Sequence, residues 1–279
     1  LIKPSEVTPL TSIRLVQICE EAGVPAGVVN LVTGGPETGA LLSSHMGIDH
    51  LSYTGSTNVG RVITRASADS NLKRLTLELG GKAPSIIAED ADIDAAVQGN
   101  LGGALLNTGQ VCAAYTRFYV DKKRHDEFVD KMATAAQSMV LGSGLEESTQ
   151  VTPVVSEKHL SHVAALIESG REQGAELVTG GNRADRPGYF IEPTIFTGVT
   201  DDMRIAQEEI FGPVLSIMSY DGMDEVEDVI RRANNSEYGL AATVWTRDIR
   251  TSQRIANGLK SGAVFVNMPP IPDIAAPWG

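Results

Sequence analysis

Short β-branched runs alternate with longer helical patterns along this chain, and glycine turns separate them. That alternation, uninterrupted by an internal repeat or a low-complexity tract, specifies an α/β protein. Thr8-Pro9 offers an N-cap followed by proline at the first helical position. Leu10, Ile13, Ile18 and Ala22 then recur at near-helical spacing before Gly23 and Pro25, so a helix is expected over about 9–22. A strand is expected at 28–32, a helix around 39–44 and a strand at 50–53 leading into Gly55-Ser56-Thr57-Asn58-Val59-Gly60. Strand, glycine turn and helix thus repeat in βαβ rhythm, which gives a parallel sheet whose strand ends and helix N-termini share one edge. In Arg74-Leu75-Thr76-Leu77-Glu78-Leu79 the leucines alternate with Thr76 and Glu78, so Glu78 points away from the leucine face.

The pattern restarts after Gly80-Gly81. Strands are expected at 84–87, 117–120, 177–178, 214–219, 241–245 and 263–266, with helices over 93–106, 126–139, about 157–173 and about 223–234. The chain has 279 residues, close to the size at which single hydrophobic cores stop growing, so two units are expected with a boundary near residue 80. The first residue is Leu1 rather than Met, and 277–279 follow no closing helix or strand, so both ends read as cut.

Charge narrows the choice of partner. With 23 Lys+Arg against 35 Asp+Glu, the net charge of −12 disfavours nucleic acid as the main partner and disfavours a membrane surface. No stretch reaches the roughly 18 apolar residues of a membrane span and no leader pattern precedes a cleavage site, which reads as a cytoplasmic protein. Cys19 and Cys112 lie far apart without CxxC spacing, so neither a disulfide framework nor a thiolate metal site is expected. The metal expectation is none.

Four segments carry candidate chemistry. Cys112 follows Asn107-Thr108-Gly109-Gln110-Val111, where glycine permits a tight turn that aims backbone N–H groups at the sulfur. An ordinary cysteine, with a pKa near ~8.5, is only slightly ionised at neutral pH and needs such help to act as a nucleophile. Taken alone, a lone cysteine is more often a small buried hydrophobe, and that reading is kept for Cys19. Glu78 is either a solvated strand residue or, if buried, a general base with a raised pKa. The segment 55–60 offers amides and a helix dipole to a pyrophosphate, yet lacks both the P-loop ending and the GxGxxG spacing; a plain helix cap is an even alternative. Glu208-Glu209-Ile210-Phe211-Gly212-Pro213 pairs carboxylates with an aromatic and a rigid turn, or is a charged helix end followed by a loop.

The order of these segments is more specific than any one of them. Lys3-Pro4-Ser5-Glu6 with Thr8-Pro9, Gly55-Ser56-Thr57 to Gly60, Leu77-Glu78-Leu79-Gly80-Gly81-Lys82, Gly109-Gln110-Val111-Cys112, Glu208 to Pro213, and Ala233-Asn234-Asn235 with Tyr238-Gly239-Leu240-Ala241-Ala242 occur in the order of the NAD(P)-dependent aldehyde dehydrogenase superfamily, which the chain resembles over nearly its whole length. The resemblance implies a partial Rossmann-like cofactor domain over 1–80, an α/β catalytic domain over 81–267 and the start of a closing segment over 268–279. It implies Cys112 as the nucleophile that forms a thiohemiacetal and then a thioester, and Glu78 as the base for the hydrolytic water. The Cys112 N–H is implied as half of an oxyanion hole whose other half, an asparagine, lies outside this chain.

For the cofactor, the resemblance places Lys3 and Glu6 on the adenosine ribose, Gly35, Gly55 and Ser56 near the ribose and pyrophosphate, Gly60 and Leu79 beside them, and Glu209 and Phe211 around the nicotinamide ribose. Glu6 favours NAD over NADP, because a carboxylate accepts from a free 2′-OH and repels a 2′-phosphate, with NADP kept as the alternative since some family members with this Glu use both. The partner implied is a small-molecule aldehyde substrate, and the complete protein is implied to be a homodimer or homotetramer. His159 stands where the family more often has a glutamine touching the nicotinamide ribose; a histidine there either substitutes as donor or loses the contact. The proline-rich stretch 267–272 lies where relatives differ around the substrate entrance. Two alternatives remain: a CoA-acylating enzyme, against which Glu78 argues, and a nucleotide-binding fragment without turnover.

Overall fold

A computed structural model describes residues 1–271 and 273–278. Pro272 and Gly279, which end the stretches 267–272 and 277–279 singled out above, lie outside the described residues. The chain divides into two compact units, Leu1–Leu79 and Gly80–Gly279.

In the first unit, helices α1 (Leu10–Glu21) and α2 (Pro36–Ser44) precede a βαβ motif of β1 (His50–Thr54), α3 (Thr57–Ala68) and β2 (Arg74–Glu78). The two strands pair in parallel from His50↔Arg74 to Thr54↔Glu78. Ser56 caps α3 by accepting from the Val59 N–H at 3.4 Å. On β2 the exposed Arg74 and Thr76 alternate with half-buried Leu75 and Leu77, as the pleat requires, and Glu78 is half-buried.

Three expectations for this unit change. The strand at 28–32 is reduced to a single bridge, Ile2↔Leu31. Pro4 has no N–H to carry the pairing onward, and Asn30 turns its side chain back onto the Gly27 carbonyl at 2.7 Å. Thr8 does not cap α1, because Pro9 precedes the helix at φ −81, ψ −21 and no side chain makes a cap bond. The expected core face of α1 buries no residue, and Cys19 is half-buried rather than a core side chain.

The second unit is built on a seven-stranded sheet. Its strands are β3 (Ala83–Ile87), β4 (Tyr115–Asp121), β5 (Glu176–Thr179), β6 (Thr194–Thr197), β7 (Val214–Tyr220), β8 (Ala241–Trp245) and β9 (Ala263–Val266), in the order β5-β6-β7-β4-β3-β8-β9. Among the described strands of this sheet, only the β5–β6 pairing is antiparallel. Helices α4 (Ile93–Ala104), α5 (His125–Gln137), α6 (Glu157–Glu172), α7 (Arg204–Gln207), α8 (Val226–Ala233) and α9 (Ile249–Gly258) complete the unit. Central strands β3, β4 and β8 are buried at every residue, which a parallel sheet covered on both faces demands.

One apolar cluster gathers Ile86, Tyr119, Leu166, Phe196, Met218 and Val244. A second gathers Ile87, Leu101, Phe118, Phe128, Ile217 and Trp245. Neighbouring residues on β3, β4, β7 and β8 therefore divide between the two faces. The helix expected to 106 ends at Ala104 and gives way to a 3₁₀ turn, Leu106–Gly109, and the helix expected from 223 opens with another, Met223–Glu225. Strand β6 and helices α7 and α9 were not anticipated.

Candidate active site

Four sequence segments of the second unit arrive at the starts of parallel strands. Gly80-Gly81-Lys82 leads into β3, Cys112 into β4, Phe211-Gly212-Pro213 into β7 and Tyr238-Gly239-Leu240 into β8. Because β7, β4, β3 and β8 are consecutive parallel neighbours, these segments meet along one edge of the sheet, the amino-terminal edge. Open α/β sheets more commonly bind ligands at the carboxyl edge. At that edge a cleft of about 430 Å³ does open, lined by Asp90, Asp92, Asp94, Arg124, Lys131 and Arg247. Its charges answer one another, with Arg247 3.0 Å from Asp92 and Lys131 2.6 Å from Asp94, and no candidate nucleophile lines it. The candidate residues of the sequence motifs lie at the other edge.

Cys112 sits at the corner of a turn closed by the Ala114 N–H bonding to the Val111 carbonyl at 3.1 Å. The backbone before it is unusual: Asn107, Thr108 and Gly109 all have positive φ, at 49, 60 and 73°. For a β-branched residue such as Thr108 this conformation costs about 1–3 kcal/mol, so the surroundings must hold it. Thr108 Oγ1 accepts from the Thr152 N–H at 2.9 Å and donates to the Thr152 carbonyl at 3.0 Å. Gln110 Oε1 accepts from the Val155 N–H at 2.9 Å. A side chain at Gly109 would collide with the Gly212 carbonyl, and one at Gly81 with the Cys112 carbonyl, so both glycines are required by close backbone approach. Neither cysteine forms a disulfide.

Glu209 faces the same edge. Its Oε1 accepts from the Gly81 N–H at 2.9 Å, which ties the 208–213 segment to the start of β3. Burial pushes its carboxyl above the ordinary range, and the Gly81 hydrogen bond and Lys82 oppose that shift. Neighbouring Glu208 is held below its ordinary value by a hydrogen bond from Arg204, and the two form an ion pair at 2.6 Å. The two glutamates of this motif thus have opposite environments. Phe211 is strained as well, with φ at 55°, and is 38% exposed.

Lys82, named only as part of a motif in the sequence, is 2% exposed and its amine has no hydrogen-bond partner among the described residues. Its carbonyl accepts from Arg117 Nε at 2.9 Å. Arg117, itself buried, also donates to the Ala233 carbonyl at 2.8 Å and to the Tyr119 hydroxyl at 3.3 Å. Tyr119 continues to Asp201 at 3.1 Å, which pairs with Arg232 at 2.6 Å. This strut fixes the segment that carries Gly81, and sequence reading missed it because its members are far apart in the chain.

In the first unit, Lys3 Nζ donates to the carbonyls of Pro4 at 2.7 Å and Gly34 at 2.9 Å, which places it beside Gly35. Glu6 is exposed in a turn. The Gly55 N–H donates to the Glu78 carbonyl at 3.0 Å, and the Leu79 side chain packs on Gly60. Ser56 stands at the α3 N-terminus, whose first amides are not used within the helix. Among the described residues, no helix is long and apolar enough to cross a membrane and no group of three or more His, Cys, Asp or Glu side chains is arranged to hold a metal.

Each unit, taken by itself, carries groups of the kind a dinucleotide uses: in the first, an exposed carboxylate at Glu6 and the N-terminus of α3, whose amides suit an anion; in the second, Glu209, which retains acceptor capacity beyond its bond to Gly81.

Comparison with known proteins gives a consistent result. The description "Aldehyde dehydrogenase family" matches residues 1–279. The chain is 45% identical over 280 residues to aldehyde dehydrogenase, cytosolic 1, of Mus musculus, covering 100% of this chain and 55% of the mouse protein. It is 46% identical to retinal dehydrogenase 2 of Taeniopygia guttata, with 100% and 54% covered. Among solved structures, the NAD+ complex of an aldehyde dehydrogenase from Bacillus cereus matches with a TM-score of 0.95 at 47% identity, covering 99% of this chain and 56% of that one. The chain spans about half the length of the curated relatives it matches.

Proposed function

The chain belongs to the aldehyde dehydrogenase family, and on that premise we propose that the protein carrying it oxidises an aldehyde to the carboxylic acid with NAD, through Cys112 as nucleophile and Glu78 as hydrolytic base. The observation that carries the proposal is the Cys112 turn: a strained backbone held by Thr152, Val155 and the Gly81 and Gly212 segments around one thiol. Such over-determined geometry is what an activated nucleophile needs, because the sulfur must be presented to the carbonyl carbon at a fixed angle.

In the proposed sequence the Cys112 thiolate adds to the aldehyde carbon, and the Cys112 N–H steadies the oxygen that becomes negative. NAD, when bound, supplies the acceptor for the hydride that leaves this carbon. The hydride's departure leaves an acyl group on the Cys112 sulfur. Glu78 takes a proton from water, the hydroxide attacks the acyl carbon, and the acid departs as the Cys112 thiolate is restored. Lys3, Glu6, Gly35, Gly55, Ser56, Gly60 and Leu79 would hold the adenosine and pyrophosphate end, and Glu209 and Phe211 the nicotinamide ribose. Glu6 supports NAD over NADP for the reason of charge given above.

The test is turnover of an aldehyde panel with NAD by the complete protein. Cys112→Ala is expected to abolish both NADH formation and ester hydrolysis. Glu78→Gln is expected to slow acid release by roughly 100-fold or more while a burst of NADH remains. Normal turnover in the Cys112→Ala protein would overturn the mechanism, and strict dependence of product release on CoA would replace hydrolysis by acyl transfer to a thiol.

A further inference from the structure

We infer that His159 is a positioning residue that fixes Phe211 from the first turn of α6, so that this chain uses the histidine to shape the backbone beside the nicotinamide site. The inference rests on the functional reading above for what Phe211 faces, and on geometry alone for the contact.

Phe211 has φ at 55°, a conformation that a bulky residue keeps only when something holds it. His159 Nε2 lies 2.7 Å from the Phe211 carbonyl oxygen. A carbonyl can only accept, so the contact requires the proton on Nε2 and thereby selects one tautomer of the neutral ring. The two rings meet edge to face, with centroids 6.0 Å apart and planes at 72°. His159 is itself anchored, since its N–H donates to the capping Ser156 Oγ at 3.2 Å. One turn further along α6, Val163 packs against Gly212. Helix α6 therefore grips Phe211 and Gly212 together.

The residues just before the helix grip the other arm of the site. Thr152 bonds with Thr108, and Val155 with Gln110, both in the Cys112 loop. The segment 152–159 is thus a brace with two separable ends, one on the nucleophile loop and one on the Phe211 segment. His159 belongs to the second end. His162, on the same helix, stacks on His159 with ring centroids 6.0 Å apart and planes at 27°, and touches no group of the Cys112 loop among the contacts described.

The experiment compares His159→Leu, which keeps bulk without a donor, with His159→Gln, which restores a donor. NAD affinity is measured by calorimetry on the complete protein, and the His159 tautomer is read from histidine-labelled ¹⁵N spectra without cofactor. The wild type is expected to show the Nε2–H form. His159→Leu is expected to weaken NAD binding roughly tenfold, and His159→Gln to recover most of that loss. An Nδ1–H tautomer overturns the inference whatever NAD does, as does NAD affinity unchanged in His159→Leu or equally poor in both variants. An Nε2–H signal in a wild type that binds no NAD would uphold the contact and sink the functional reading beneath it.

Discussion

Lys82 takes an amine into the interior with no hydrogen-bond partner among the described residues, and burial pushes its pKa down from 10.5 to about 7. Arg117 adds to the shift, and Glu209 and Glu208 oppose it. An unfolded chain would hold this proton up to its ordinary pKa, whereas the folded one releases it near 7. The cost of burial is therefore present in full below about pH 7 and is relieved as pH rises towards 10.5. Lys82→Met is expected to raise the melting temperature more at pH 6 than at pH 10; equal shifts at the two pH values in thermal melts would show that the amine does not titrate as described. Little of this was legible in the sequence. Cys112, Glu209 and Phe211 stand out as members of short motifs, but the bond from Gly81 to Glu209 joins residues 128 positions apart. No periodicity or turn signal reports such a contact. Likewise the glycine before Cys112 announces a tight turn, while the positive φ of Asn107 and Thr108 comes from the tertiary bonds to Thr152.

Elements were more legible than contacts, and most where local chemistry and burial agree. Strands Ala241–Trp245 and Ala263–Val266 coincide with their apolar runs, and α6 follows its cap, Ser156, as an amphipathic helix should. Ser156 is the element-scale control on the brace described above. Ser156→Ala is expected to cost about 1 kcal/mol and to loosen the first turn of α6, with Ser156→Asp close to neutral; denaturant unfolding and amide exchange at 157–160 would check both. Identical stability of Ser156→Ala and wild type would mean the turn is held by Phe211 alone. The failures are also physical. β6 is a four-residue strand between Pro193 and Gly198 that exists because β5 and β7 flank it, so no window of its own sequence is long enough to reveal it. The converse holds at 28–32, where a β-branched run lacks a partner able to continue a ladder past Pro4. Helix α9 does carry a local signal: Asp248 accepts from the Thr251 N–H at 2.9 Å, an N-cap visible in the sequence.

Across the two units of this chain the apolar core is unevenly shared. Both hydrophobic clusters lie in the second unit, whereas Ile63 is the buried apolar side chain of the first unit among the described residues, and Leu10, Leu41 and Leu72 are exposed there. Amides of β3, β4, β7 and β8 are therefore expected to exchange with deuterium far more slowly than those of β1 and β2, a contrast that exchange mass spectrometry of this chain would read directly. Uniformly slow exchange would refute it. The α/β class followed from the alternation of elements, but the edge at which the motifs meet did not, because it depends on β7, β4, β3 and β8 lying side by side in that order. The meeting of Gly81 with the Cys112 carbonyl has a bearing on how divergent relatives should be sorted. A thiol can be lost by one substitution and leave its loop intact, but any side chain at 81 displaces the loop itself. Glycine at that position is thus the more stringent steric requirement of this architecture, and a relative that replaces the cysteine while keeping the glycine is expected to keep the loop.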